Sequence, residues 1–405
     1  MNQKVLHNIY GYRALARKYR PKLFNHIVSQ SHIIRIIKNS IEYNRIHHAY
    51  IFSGIRGVGK TTLARIFSKG LNCIKDNNKQ PIFDPCLKCR ICLSIDEGRN
   101  QDVLEIDAAS NTGIADIKDL IENSKYNPIS TRYKIYIIDE VHMLSNSAFN
   151  GLLKILEDPP IYAKFILATT EIKKIPLTVL SRCQRFDLHR LTIPQLSEYL
   201  EYIAKKENFK INKDASILIS KSSQGSVREA LSLLDQAIIS SHCSNLIELS
   251  SITQMLGIIN AEYIYMMLNW ILKGDIKNAI NIVRELYLKG AEPATILREL
   301  AETSYKVTLY KIGIVENLFL SDFEDKECSN ISTNISVVSI TRLWQMFNKA
   351  LTDMKMLYGD LITLEMNIIK ISYANLTISP EKVLESLNKH PEVENFENDK
   401  KKLTI

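Results

Sequence analysis

The sequence predicts an α/β fold built on a parallel sheet, followed by regions that are helical throughout. Three observations carry this. In the first half, short β-branched runs alternate with segments whose apolar residues recur at helical spacing. A glycine-rich loop joins the first such run to the first long helical pattern. Near Leu191 the strand pattern stops, and from about Ser251 to Tyr373 the pattern is helical again.

The strands are expected at Ala49–Ser53, Val103–Asp107, Lys134–Asp139, Phe165–Thr169 and Gln184–Leu188. After the first of them a helix is expected over Thr62–Leu71, with Leu63, Ile66, Phe67 and Leu71 on one face. Thr192-Ile193-Pro194-Gln195 has the spacing of a capping box with an early proline, and Leu196, Tyr199, Leu200 and Ile203 follow at helical spacing. Two more helices are expected before residue 245. The third region is read as all-helical, punctuated by Gly274-Asp275, Gly290 and the polar stretch Ser321–Asn334. This gives an α/β domain over 1–190, a small helical domain over 191–250, a third, helical domain over 251–375 and a polar tail over 376–405.

Composition sets bounds. The 405 residues suggest two to four domains, and 45% hydrophobic with 24% charged residues is ordinary for a globular protein. The net charge of +8 fits a nucleic-acid partner without demanding one. No apolar leader follows Met1, and the most apolar stretch, Tyr263–Leu272, is broken by Asn269 and too short to span a bilayer, so a cytoplasmic protein with no membrane partner is expected. Seven cysteines, four of them clustered, favour a metal over disulfides in such a compartment.

The residues that carry chemistry begin with Gly54-Ile55-Arg56-Gly57-Val58-Gly59-Lys60-Thr61, followed by Thr62. This is the P-loop pattern in every fixed position, placed after an apolar strand and before a helix. Its backbone N–H groups and helix N-terminus suit phosphates, Lys60 suits the β- and γ-phosphates of ATP, and the Thr61 hydroxyl suits Mg²⁺. A chance match is the bland alternative, and the flanking context argues against it. Next, Lys134-Ile135-Tyr136-Ile137-Ile138-Asp139-Glu140 ends an apolar strand in two carboxylates. Alone it would read as a solvated strand end. Behind a P-loop it reads as Asp139 holding Mg²⁺ through water and Glu140 activating the attacking water. Finally Cys73, Cys86, Cys89 and Cys92, the last three spaced Cys-x2-Cys-x2-Cys, suit a closed tetrahedral Zn²⁺ site; free thiols or an iron–sulfur cluster are the alternatives.

Together these pieces resemble the gamma/tau subunits of bacterial DNA polymerase III, clamp-loader ATPases of the AAA+ class, over roughly residues 12 to 375. Carrying the resemblance are Ala16-Arg17-Lys18-Tyr19-Arg20-Pro21, the P-loop with its cysteines, Asp139-Glu140-Val141-His142-Met143-Leu144-Ser145, Leu152–Pro160, Leu180-Ser181-Arg182-Cys183 and Gly225-Ser226-Val227-Arg228-Glu229-Ala230. The resemblance implies an AAA+ P-loop ATPase domain with an inserted zinc knuckle at 73–92, a helical lid and a helical C-terminal collar. It also implies that Thr170 is the sensor-1 residue near the γ-phosphate, Arg182 the arginine finger that reaches a neighbour's ATP, and Arg228 the sensor-2 arginine. The implied partners are the delta and delta-prime subunits, further copies of the same chain, the beta sliding clamp and primer–template DNA.

Two positions depart from the family pattern. Ser29 stands where a glycine precedes Gln30, and Gly151 stands where alanine precedes Leu152, a change that costs about 1 kcal/mol of helix propensity. The segment ends at Ile405 without the extra domains of the tau form, so the resemblance points to the short, gamma-type form. The competing readings are a non-hydrolysing scaffold like delta-prime, opposed by intact Lys60, Thr61, Asp139 and Glu140, and another AAA+ DNA remodeller such as a Holliday-junction branch-migration motor, opposed by the cysteines and the collar-like region.

Overall fold

The structure, a computed structural model, describes residues 12–75, 80–110, 114–241, 245–257, 259–314, 322–356 and 361–376. It divides into two compact units, Met1–Ile252 and Thr253–Ile405.

The first unit opens with a short helix α1 (Leu15–Lys18) and α2 (Ser31–Glu42). An α/β region follows in the order β1 (Ala49–Ser53), α3 (Lys60–Asn72), α4 (Arg90–Asp96), β2 (Val103–Asp107), α5 (Ile114–Ser124), β3 (Lys134–Asp139), α6 (Asn146–Glu157), β4 (Ala163–Thr169), α7 (Leu177–Leu180) and β5 (Gln184–Asp187). All five strands pair in parallel, in the spatial order β2-β3-β4-β1-β5. The central strands β1 and β4 are buried along their whole length, so their sequences are largely apolar on both faces rather than alternating, with Lys164 and Thr169 in β4 and Ser53 in β1 buried as well. The edge strands β2 and β5 are only partly buried and carry charged residues. One core lies between the sheet and α2 and α3, with Phe24, Ile33, Phe67 and Phe186; the other lies under α5 and α6, with Ile117, Leu152 and Phe165.

The sheet order matters for function. The connection from β1 crosses to the far edge, and β3 and β4 then fill the gap. The C-terminal ends of β1, β4 and β3 therefore stand side by side, and β4 separates the two strands whose ends carry the P-loop and the carboxylate pair.

Beyond β5 come α8 (Ile193–Lys206), β6 (Lys210–Ile211), α9 (Lys213–Ser222), α10 (Val227–Ser240), β7 (Leu246–Ile247) and α11 (Leu249–Met255). The expected capping box is present: Thr192 caps α8 and the Gln195 side chain accepts from the Thr192 N–H at 3.1 Å. The second unit holds α12 (Ala261–Lys273), α13 (Ile276–Leu288), α14 (Pro293–Ile312), α15 (Asp322–Asn334), α16 (Val337–Met356) and α17 (Leu361–Leu376) around a core that includes Leu268, Leu300, Phe347 and Ile368. The stretch read as polar punctuation is thus mostly a helix. Its Cys328 and Ile331 are buried, and Tyr265 OH lies 3.2 Å from Cys328 Sγ. Among the described residues no helix is long and apolar enough to cross a membrane. Residues after 376, the expected tail, lie outside the described residues.

Candidate functional site

The site is assembled at the strand ends. After Ser53 the chain turns through Gly54–Gly59 and enters α3 at Lys60. Gly57 has φ +79°, and a Cβ there would stand 2.9 Å from the Cβ of Arg228, so glycine lets the lid approach the loop. Gly59 has φ +113°, and a Cβ there would meet nothing within 4 Å: the loop opens onto free space. Lys60 is 5% exposed, and among the described residues its ammonium donates to two loop carbonyls, Gly54 O at 2.9 Å and Ile55 O at 3.1 Å. Burial pushes its pKa below the ordinary lysine value, while Glu140 and Asp139 pull the other way. A buried cation held by neutral acceptors beside an open glycine loop fits a polyanion such as a triphosphate.

Thr61 Oγ1 donates to Asp139 Oδ2 at 2.6 Å, across the gap spanned by β4. Hydroxyl and carboxylate are hard oxygen ligands, and their convergence fits Mg²⁺. Glu140 lies in the left-handed region, φ 47° and ψ 45°, and its Oε2 accepts from Thr170 N at 3.1 Å and Thr170 Oγ1 at 3.0 Å. These contacts follow from the pairing of β3 with β4. Of the other residues read as nucleotide-binding, Ile55 is partly buried, Val58 packs in the core, Arg56 is exposed, and Thr62 Oγ1 accepts from Arg20 Nε at 3.0 Å.

Arg20 joins this group although its place in the sequence implies no role for it. It is largely desolvated, which lowers its pKa, and Arg65 and Arg228 add to that while Glu105 and Asp139 oppose it. Its guanidinium thus bonds to the P-loop helix through Thr62 and feels the charges of Asp139 and Arg228. No spacing rule signalled it.

Arg228 sits in the first turn of α10, and its backbone N–H donates to Gly57 O at 3.3 Å. Lys18 Nζ reaches Glu207 Oε1 at 2.6 Å, and the Leu15 N–H donates to Asp235 Oδ2 at 3.0 Å, tying the N-terminal segment to the lid helices. Ser29 takes the left-handed conformation, φ 66°, that glycine adopts freely, and its hydroxyl donates to Gln195 Oε1 at 3.1 Å. Arg182 stands apart from this group. Its guanidinium donates to Thr178 O at 2.8 Å and to Glu157 Oε1 at 2.8 Å, on α6 and around α7 rather than at its own P-loop.

The four cysteines come together. Cys73 closes α3, Cys89 caps α4, Cys92 lies in its first turn, and all four Sγ atoms lie within 4.8 Å of one another. A tetrahedral zinc with Zn–S of about 2.3 Å needs sulfurs about 3.8 Å apart, so the site fits that ion. Backbone N–H groups of Cys86, Cys89 and Cys92 point at sulfurs at 3.3–3.4 Å. Burial opposes ionisation of Cys86, but the N–H groups of Lys88 and Cys89 and the neighbouring thiols outweigh it and bring its pKa down to about 7. The knuckle is anchored by the stacked Phe24 and Phe83, 4.6 Å apart, and by a 2.6 Å ion pair between the buried Lys69 and Asp96.

Comparison with known proteins places the chain in a family. Family models match residues 29–192 (DNA polymerase III, delta subunit), 195–243 (DNA polymerase III clamp loader subunit, ATPase lid domain) and 247–387 (DNA polymerase III subunits gamma and tau domain III). The DNA polymerase III subunit gamma of Buchnera aphidicola subsp. Acyrthosiphon pisum is 35% identical over 363 residues, covering 89% of this chain and 99% of that protein. The tau/gamma subunit of Haemophilus influenzae is 36% identical over 381 residues, but this chain spans only 54% of its length. The Thermotoga maritima RuvB Holliday junction branch migration motor has 20% identity and a TM-score of 0.45 over 63% of this chain and 79% of that chain, too low to weigh in the assignment. The chain therefore belongs to the DNA polymerase III gamma/tau family of clamp-loader subunits.

Proposed function

We propose that this chain is the ATP-hydrolysing motor of a cytoplasmic clamp loader, with delta and delta-prime subunits, further copies of itself, the beta sliding clamp and primer–template DNA as partners. The observation that carries the proposal is the convergence of Thr61, Asp139 and Glu140 beside the open P-loop, with Oε2 of Glu140 fixed by Thr170. A scaffold subunit would have no use for a positioned base.

Bound ATP and Mg²⁺ supply the phosphoanhydride to be cleaved and the cation that neutralises it. The chain does the rest. Lys60 and the loop N–H groups hold phosphate oxygens, and Thr61 and Asp139 hold the cation. Glu140 takes the proton of the attacking water, and Thr170 keeps its carboxylate in place. Arg228 follows the lid onto the phosphates. Arg182, parked on Glu157 in the single chain, is available to a neighbouring subunit's nucleotide. The four cysteines hold a structural zinc. DNA is gripped through its phosphates, since loading cannot depend on sequence.

Reconstitution tests this. The chain is mixed with delta, delta-prime and the clamp, and ATP turnover is measured with and without primed DNA. DNA-stimulated turnover that is lost with Lys60→Ala supports the proposal; a complex that assembles and turns over no ATP refutes it.

A further inference from the structure

We infer that His142 is a positioning residue for Glu140, acting with Thr170 on the same oxygen of the catalytic carboxylate. This rests on the reading of Glu140 as the base.

The geometry begins with the backbone. Glu140 occupies the left-handed region, and the Met143 N–H donates to Glu140 O at 2.9 Å, closing a tight turn over Val141–Met143. A non-glycine residue held at positive φ costs about 1–3 kcal/mol and persists only where its surroundings enforce it. The turn carries the His142 ring back under the end of β4, where its side chain is 7% exposed. There Nδ1 lies 3.1 Å from Thr169 Oγ1 and 3.4 Å from Glu140 Oε2, while Nε2 lies 3.6 Å from Glu171 Oε1.

The groups that its two nitrogens face are polar. Thr169 Oγ1 also accepts from the Glu171 N–H at 3.0 Å, and Glu171 is paired with Lys174 at 3.0 Å. The ring thus stands between the carboxylate of the base and a carboxylate fixed in the loop after β4. Among the described residues, Thr170 and His142 are the side chains that reach the Glu140 carboxylate, and both address the same oxygen, Oε2. A histidine kept for packing alone would not need both nitrogens facing carboxylates. The 3.4 Å approach is long for a hydrogen bond, and such contacts tighten when a site is loaded. With Oε2 held by Thr170 and faced by His142, Oε1 is the oxygen left to take a proton.

The test uses the assembled complex and four single variants: His142→Ala, His142→Asn, His142→Gln and Glu140→Gln. Asn returns an amide near the Nδ1 position and Gln returns one near Nε2. Misplacing a reacting group by about 1 Å costs roughly 10²-fold, so His142→Ala is expected to lower kcat by about that factor. Binding of a fluorescent ATP analogue should stay near wild type, because among the described residues the hydrogen-bond and ion-pair partners of His142 are Thr169, Glu140 and Glu171, none of them in the P-loop. His142→Asn should recover most of the loss and His142→Gln little of it. The double variant with Glu140→Gln should be no slower than Glu140→Gln alone, since a positioner has no effect once its target is gone. Wild-type kcat for His142→Ala, with Glu140→Gln inactive, overturns the inference and leaves the base assignment standing. Joint loss of nucleotide binding and turnover, with Asn no better than Gln, overturns it in favour of a structural role. If His142→Ala does not fold, the Asn and Gln variants decide the matter, and equal rates overturn the inference. Wild-type turnover by Glu140→Gln overturns the base assignment and this inference with it.

Discussion

Replacing Asp102 with Asn is expected to destabilise the ATPase unit by about 3 kcal/mol at pH 7, through one unmet N–H and several weakened bonds. Asp102 is fully buried at the entrance to β2. Its Oδ1 accepts from Ile129 N at 2.8 Å. Its Oδ2 accepts from Ser130 N at 2.7 Å, Ser130 Oγ at 3.1 Å, Thr131 N at 3.0 Å and Thr131 Oγ1 at 3.1 Å. This one carboxylate thus organises the loop that leads into β3, the strand ending in Asp139 and Glu140. An asparagine can place its oxygen at the Oδ2 position, but its amide then faces the Ile129 N–H. A buried donor left unsatisfied costs about 1–3 kcal/mol, and the remaining bonds lose their charge assistance, each charged bond being worth about 1.5–3 kcal/mol against roughly 1 for a neutral one. Neighbouring bonds are not additive, which holds the total near the lower end of the sum. For a unit of this size the midpoint should fall by about 6–12 °C.

The pH dependence has a definite sign. Burial raises the Asp102 pKa, but the loop donors outweigh it and hold the carboxyl below its ordinary value. A depressed folded pKa stabilises the fold fully above the unfolded value, about 3.9, and the contribution is lost as pH falls through the folded pKa. The gap between wild type and Asp102→Asn should therefore be constant near neutrality and shrink in acid. Urea unfolding followed by circular dichroism at pH 7 and pH 3 measures it. A variant within about 0.5 kcal/mol of wild type, the range of an ordinary surface change, or a gap that widens in acid, refutes the reasoning.

Freshly purified, reduced protein should carry one zinc per chain by elemental analysis, and a chelator should lower the unfolding temperature of the ATPase unit, because the knuckle packs through Phe83 onto the core residue Phe24; protein without zinc contradicts this. Arg182→Ala should leave nucleotide binding by the isolated chain intact and suppress turnover in the complex by roughly 10³-fold or more, and mixing it with Lys60→Ala chains should restore activity if the arginine acts on a neighbour. Gly151→Ala should stabilise the protein by about 1 kcal/mol, since a methyl there would meet Ile117 and Ile121 at 3.6 Å, ordinary contact, within a helix; an unchanged or lower unfolding midpoint counts against it.

The strands were legible because the central ones are buried on both faces and are dominated by apolar residues, such as Phe165–Ala168 in β4, which local pattern reading detects. Their spatial order was not, since crossovers are set by packing between distant segments. The helix at Asp322–Asn334 was missed for a related reason. It has few apolar residues, and Cys328 and Ile331 hold it through contacts with another part of the chain. In the site, glycine, lysine and carboxylate spacing marked the P-loop and the Asp139-Glu140 pair. The cysteine spacing likewise marked the knuckle. Arg20 and His142 stayed hidden because their roles come from what they touch: Thr62 in one case, Glu140 and Glu171 in the other. Ser29 was noticed as a departure, but its bond to Gln195 becomes visible only when the lid is in place.

Whether Glu140 drives turnover in a clamp-loading complex is tested most directly by single-turnover ATP cleavage in the reconstituted complex, with clamp release on primed DNA followed in the same mixture. Glu140→Gln should bind ATP, clamp and DNA, and then stall before cleavage and release. Lys60→Ala should fail earlier, at nucleotide binding. Cleavage and clamp release by Glu140→Gln at the wild-type rate would contradict the account.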